Sequence, residues 1–255
     1  MWVVIPLQEP EFSIFVSMKK SKLLFLFLFI SSTIIAQKKA FVIFDSQGLK
    51  TTYQELFDQS RKADIILFGE LHDNPINHWL QLELTKDLFN VSEKLVLGAE
   101  MMESDNQLVI DEYLTGLVSK SKLISETKTW QNFKTDYLPL IQFSKEKNLS
   151  FIATNVPRRY ASIVYQHGLD TLSFLSDKAK SYMATLPILY DTSLSSYQEM
   201  LAMGMGHGGD NLPKSQALKD ATMAHFIFEN WKKGQTFIHF HGAFHSKNYE
   251  GINWY

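Results

Sequence analysis

No cysteine occurs anywhere in the 255 residues. The chain therefore holds itself together without disulfides, by its core alone, and it has no thiol for an N-terminal lipid anchor. A basic block is missing as well. Lys and Arg are scattered, the net charge is -2, and no basic stripe is interleaved with aromatics, which argues against nucleic acid as a ligand. There is no GxSxG elbow, no Walker sequence and no dinucleotide glycine pattern, so serine hydrolases and nucleotide-binding enzymes are not indicated. What remains is ordinary globular composition, 45% hydrophobic and 20% charged, in a chain long enough for one sizeable core. No internal repeat or linker is visible, so residues 37–255 are expected to form a single domain.

Residues 1–36 read differently. From Met18 the sequence is MKKSKLLFLFLFISSTIIAQ: a basic start, an unbroken apolar run Leu23–Ile30, and small residues before Ala36-Gln37. This matches a secretory signal peptide cleaved after Ala36. The run is short for a membrane span of about 20 residues. Residues 1–17 lack signal character, which makes Met18 the expected start and the stretch before it an upstream extension. An exported, soluble protein is the expectation, periplasmic or secreted.

Four short β-rich runs follow: Asp64–Phe68, Lys94–Leu97, Ser150–Thr154 and Gln235–Phe240. Their hydrophobicity is continuous rather than alternating, as in strands buried on both faces. Helical patterns lie between them, over Ile76–Phe89 after Asn74-Pro75, over Ser104–Leu114 with Ser104 as cap and Gly116 as stop, and over Lys214–Trp231. The alternation predicts an α/β fold with a mainly parallel central sheet, helices on both faces, and a helical insertion over about Leu169–Pro213.

In such sheets ligands collect beyond the carboxyl ends of the strands. The first run ends in Gly69-Glu70-Leu71-His72-Asp73, the second in Gly98-Ala99-Glu100-Met101-Met102-Glu103, the third in Asn155-Val156-Pro157-Arg158-Arg159-Tyr160, and the last carries His239 and His241 before Gly242-Ala243-Phe244-His245. Parallel strands would gather these at one rim. Carboxylates and imidazoles so gathered can ligate a metal or work as acid and base. Asp73 and Asn74 equally suit a helix cap.

FGELHDN, GAEM-x-E, the helix SQALKDATMAHFI (Ser215–Ile227) and HGAFHSKNYEGI (His241–Ile252) together resemble the ChaN-like haem-binding uptake family, related to the Tiki and TraB proteins, from about Asp64 to the end. The resemblance implies an α/β fold, a homodimer holding two stacked haems, and a part in iron acquisition with outer-membrane uptake components as partners. It implies iron held by Tyr with His nearby. Relatives with paired GxxH motifs are instead regarded as metal-dependent proteases, and Gly69–His72 and Gly242–His245 match both motifs. Characterised haem-binding members are lipoproteins, which this chain without Cys does not match. Ending at Trp254-Tyr255, it is also expected to be truncated at its C-terminus.

For haem, the expected slot is walled by Phe244, Trp79, Met101 and Met102, with Arg158 and Arg159 for the propionates. Tyr160 is the preferred axial ligand, with Tyr137 and Tyr249 as others, and His72 and His78 supply further contacts. For the alternative, a metal-dependent hydrolase, Glu70, His72, Glu100 and His245 would hold a divalent metal ion, with Glu103 or His241 as base or supporting partner. The glycine-rich Gly204–Gly209, with His207, is read as a loop that could cover the rim.

Overall fold

The computed structural model describes residues 40–203 and 209–255. The signal-peptide segment, the residues before Met18 and residues 204–208 of the glycine-rich stretch, His207 among them, lie outside the described residues.

β1 (Ile43–Phe44) and β2 (Lys50–Thr51) pair as a short antiparallel ribbon. α1 (Tyr53–Ser60) opens on a capping box: the Thr52 hydroxyl accepts from the Glu55 N–H, and the Glu55 carboxylate accepts from the Thr52 N–H. Then come β3 (Ile65–Glu70), α2 (Pro75–Val91), β4 (Leu95–Glu103), α3 (Gln107–Leu114), α4 (Lys120–Glu126), α5 (Leu138–Lys147), β5 (Ser150–Asn155) and α6 (Arg158–His167). α7 (Asp177–Lys180) and α8 (Ser195–Met203) belong to the insertion, and α9 (Asn211–Asn230) leads into β6 (Thr236–Gly242). Ile43–Tyr255 cluster as one compact unit. Among the described residues no helix is long and apolar enough to cross a membrane.

The second sheet has the order β3-β6-β4-β5 and is parallel throughout. Successive strand residues point to opposite faces, and both faces are covered, as the apolar runs require. Leu97, Ala99, Ile238 and Phe240 pack with Leu84 and Leu88 of α2 and Leu140 and Ile141 of α5. Val96 and Phe237 pack on Met223 and Ile227 of α9. The α/β architecture read from the sequence is the one observed.

The strands run further than their apolar cores. Gly69-Glu70, Gly98–Glu103 and His241-Gly242 are strand, not loop. The ladder continues through them, pairing Gly69 with His241 and Glu70 with Gly242, and this backbone pairing overrides the low strand preference of Gly and Glu. Ser104 is not the cap of a helix. It sits in a 3-10 turn, its hydroxyl donates to the Tyr182 carbonyl at 2.7 Å, and α3 begins at Gln107. Asn74 does cap α2, accepting from the N–H groups of Ile76 and Asn77, with Pro75 at the first helical position.

Candidate functional site

The two Gly-x-x-His segments lie side by side at the ends of β3 and β6, and their glycines interlock. A Cβ on Gly69 would sit 2.9 Å from the Ala243 Cα, and one on Gly242 would sit 2.7 Å from Nε2 of His72. Each glycine thus makes room for the other segment, and the His72 ring rests over Gly242. The three-residue step then drops each histidine beyond the sheet edge.

His72 is aimed by a buried carboxylate. Its Nδ1 donates to Glu70 Oε1 at 2.9 Å, and the same oxygen accepts from the Tyr137 hydroxyl at 2.6 Å. The other Glu70 oxygen accepts from the Gln81 amide. His78, buried on α2, donates from Nε2 to the His72 carbonyl at 3.0 Å and faces Gln81 Oε1 with Nδ1 at 3.2 Å. Trp130 stands edge-on to His72 with ring centroids 4.7 Å apart. The His72 side chain remains 42% exposed, whereas that of Glu70 is fully buried. The hydrogen bond from Glu70 raises the His72 pKa, opposed by burial and supported by the charge of Glu100.

His245 is held between two carboxylates. Nδ1 donates to Asp220 Oδ1, and Nε2 donates to Glu100 Oε1 at 3.1 Å. The second Glu100 oxygen accepts from the Gly242 N–H at 2.8 Å, and the second Asp220 oxygen from the Tyr197 hydroxyl at 2.9 Å. All three groups are buried. Burial pulls the His245 pKa down, but Glu100 and Asp220 outweigh it and push it up to about 10. Burial likewise raises Glu100, but the His245 charge and hydrogen bond and the Gly242 N–H hold it well below the usual carboxylate range. Asp220 is raised, chiefly by burial. The result is an imidazolium clamped by carboxylates next to one accessible imidazole.

Glu70, His72, Glu100 and His245 do come together, and hydrogen bonds join them in pairs. Both His245 nitrogens face a carboxylate, with the Gln216 amide alongside, and His72 keeps only Nε2 without a hydrogen bond among the described residues. Each oxygen of Glu70 and Glu100 already accepts a hydrogen bond. Among the described residues no group of three or more His, Asp or Glu is arranged to hold a metal ion.

The Arg158-Arg159-Tyr160 group belongs to the other half of the sheet edge. Arg158 Nε donates to Glu103 at 2.7 Å, and Arg159 donates to Asp105 at 2.6 Å while lying over the Tyr160 ring at 4.6 Å. Tyr160 itself is buried with Val164, Leu172, Met183 and Leu218. Met101 and Met102 are core residues, not slot walls. Trp79 is about half exposed and Tyr249 largely exposed. His239 and His241 are fully buried, stacked at 5.1 Å, and joined in a line from Thr154 to the Ser246 hydroxyl. Burial holds both neutral, His241 down at about 4. His241 therefore spends its nitrogens inside the sheet rather than at the rim.

Asp220, Gln81 and Tyr197 were not singled out by sequence reasoning, and Tyr137 only as an iron ligand. A signal existed for Asp220, an acid inside the apolar helix pattern of Ser215–Ile227.

The family model described as haem-binding uptake, Tiki superfamily, ChaN matches residues 56–255. The chain belongs to this family. Among solved structures, one described as cofacial heme binding to ChaN of Campylobacter jejuni matches with a TM-score of 0.62 at 19% identity, covering 83% of this chain and 83% of that one. At that identity the likeness shows a shared fold. An effector domain of a MARTX toxin from Vibrio vulnificus matches with a TM-score of 0.44 at 16% identity, covering 82% of this chain and 35% of that one, too distant a likeness to carry an argument. No curated protein matches the chain. The matched residues include both Gly-x-x-His segments and the helix that clamps the second.

Proposed function

We propose that this ChaN-family chain is an exported haem-binding protein of iron acquisition, working as a homodimer that exchanges haem with outer-membrane uptake components. The family match over most of the chain supports haem as the ligand. The observation that carries the rim as its site is His72. Its ring is partly exposed, its Nδ1 is tied to Glu70, and its Nε2 makes no hydrogen bond among the described residues. Haem needs an apolar surface, an axial ligand and cations for its carboxylates. Trp130 supplies apolar surface against that ring, and Leu71, next to His72 in sequence, is exposed.

When bound, haem supplies an iron that accepts a nitrogen lone pair. His72 would offer Nε2, and Glu70, fixed by Tyr137 and Gln81, would hold the imidazole in the tautomer that leaves Nε2 unprotonated. Arg158 and Arg159 are already paired with Glu103 and Asp105, so propionates would have to share those cations. The cofacial binding described for the Campylobacter jejuni protein supports two copies of this rim facing one another. Export rests on the sequence pattern Met18–Ala36.

Haemin titration of the protein starting at Gln37 tests the reading. A Soret band is expected at micromolar haemin, shifted or weakened in His72→Ala and unchanged in Tyr160→Phe. Absence of any spectral change in the unsubstituted protein overturns it.

A further inference from the structure

α9 carries a histidine that the rim does not use. His225 is partly buried, rests edge-on against Phe226 at 5.2 Å, and forms no hydrogen bond with any described residue through either ring nitrogen. His72, His78, His239, His241 and His245 all have such a bond. The His225 ring nitrogens are not among the buried unpartnered atoms, so they stay within reach of a ligand entering from solvent.

His225 stands where two cavities adjoin. One, of about 590 Å³, lies between α9 and the start of β3 and is walled by Ile65, Leu67, Ile227, Phe228 and Ile252. The other, of about 1110 Å³, is walled by Leu172, Met183, Leu186 and Ile188 and reaches Ser173 and Lys180. Both include Ala184, Thr185, Pro187, Ile188 and His225. Ala221, Ala224, His225 and Phe228 follow the helical spacing that puts them on one face of α9. The two alanines leave open space that larger side chains would fill, and Phe228 stays 71% exposed beside it. The volumes fall in or above the range of sites for small molecules and cofactors, roughly 300–1,000 Å³. At the far end the Lys180 ammonium is held only by the Ser173 carbonyl, at 2.9 Å, so its charge is not neutralised by a carboxylate.

We propose that the cleft around His225 is a second haem site, in which His225 offers the axial imidazole and Lys180 a cation for a propionate. The proposal rests on the haem-binding reading above and adds a place for the ligand that is separate from His72. An apolar slot, one unpaired imidazole and one uncompensated cation are the three features that an iron porphyrin with carboxylate arms requires.

The test is haemin titration of the protein starting at Gln37, with the His225→Ala, Ala224→Leu and His72→Ala variants beside it and metal-free protoporphyrin as the second probe. Two haem equivalents per chain are expected for the unsubstituted protein. His225→Ala should weaken one of them at least tenfold and change the Soret position, and it should leave metal-free porphyrin binding in place, because the walls are intact. Ala224→Leu, which fills the slot, should remove that equivalent for both probes. Unchanged stoichiometry and Soret position in both variants overturns the second site, as does a single equivalent that is lost only in His72→Ala. No Soret band in any protein overturns the haem reading itself and so is distinguishable from failure of this site alone. Far-ultraviolet circular dichroism confirms that each variant is folded.

Discussion

Both halves of the sheet's carboxyl edge set nitrogen donors against carboxylates, to opposite ends. Beyond β3 and β6, two histidines meet three carboxylates, and Glu70, Glu100, Asp220 and His245 are all buried. Beyond β4 and β5, two arginines meet Glu103 and Asp105, and both guanidinium groups stay about half exposed. Water decides the difference. A charge pair in solvent is screened and contributes little, whereas a buried carboxylate must keep its partner or pay the full cost of dehydration. Among the described residues, the first half holds an imidazole between buried carboxylates and the second does not.

The comparison breaks most sharply at Asp220. Asp220→Ala leaves the His245 imidazolium buried with one carboxylate fewer and takes an acceptor from the Tyr197 hydroxyl. A loss of about 3–5 kcal/mol is expected, the scale for removing one partner of a buried pair. Chemical denaturation at pH 7 checks it. A change under 1 kcal/mol would mean that the clamp is not closed as described.

The pH dependence sharpens the same contrast. The folded pKa of His241 lies at about 4, below its ordinary value of 6.5, so the unfolded chain takes up a proton first as pH falls. Stability is therefore lost from about pH 6.5 down to about pH 4, on the order of 3 kcal/mol from this group. His245 has the opposite sign. Its folded pKa is raised to about 10, so its contribution is full below pH 6.5 and is lost as pH rises toward 10. Denaturation midpoints measured from pH 4 to pH 10 should peak near neutrality. A profile flat down to pH 4 would contradict the buried neutral pair.

The sheet was legible in the sequence because burial on both faces leaves continuous apolar runs, and Leu97 or Phe237 announces itself by hydrophobicity alone. The rim histidines were legible because each follows such a run. Their partners were not, because Gln81 and Asp220 reach the site from inside helices, where a polar residue looks the same whether it faces solvent or a buried ring. The surroundings of Arg158, Arg159 and Tyr160 were hidden for the converse reason. They follow a strand as the others do, but α6 begins at Arg158 and turns Tyr160 into the core beside Val164. Strand ends were set by pairing with a neighbour, which no local pattern reports.

A smaller effect is expected at Gly69. Its missing Cβ is replaced in space by the Ala243 backbone, which cannot swing aside as a side chain can. Gly69→Ala should cost roughly 1–3 kcal/mol, the scale of overpacking. Gly242→Ala meets the His72 ring instead and should leave stability closer to normal while displacing His72 and weakening the haemin spectrum. Equal stability losses in the two variants would remove the distinction.

The smallest effect belongs to the exposed half. Arg159→Ala removes an ion pair with Asp105 and a contact over the Tyr160 ring, both open to solvent on the guanidinium side. Each such interaction contributes up to about 1 kcal/mol, and salt screens the first. A loss near 1 kcal/mol that shrinks further in 1 M salt is expected, measured by the same denaturation experiment as Asp220→Ala. A loss as large as that of Asp220→Ala, insensitive to salt, would show that this half is as dehydrated as the other, and the division of the rim into a site and a surface would fall with it.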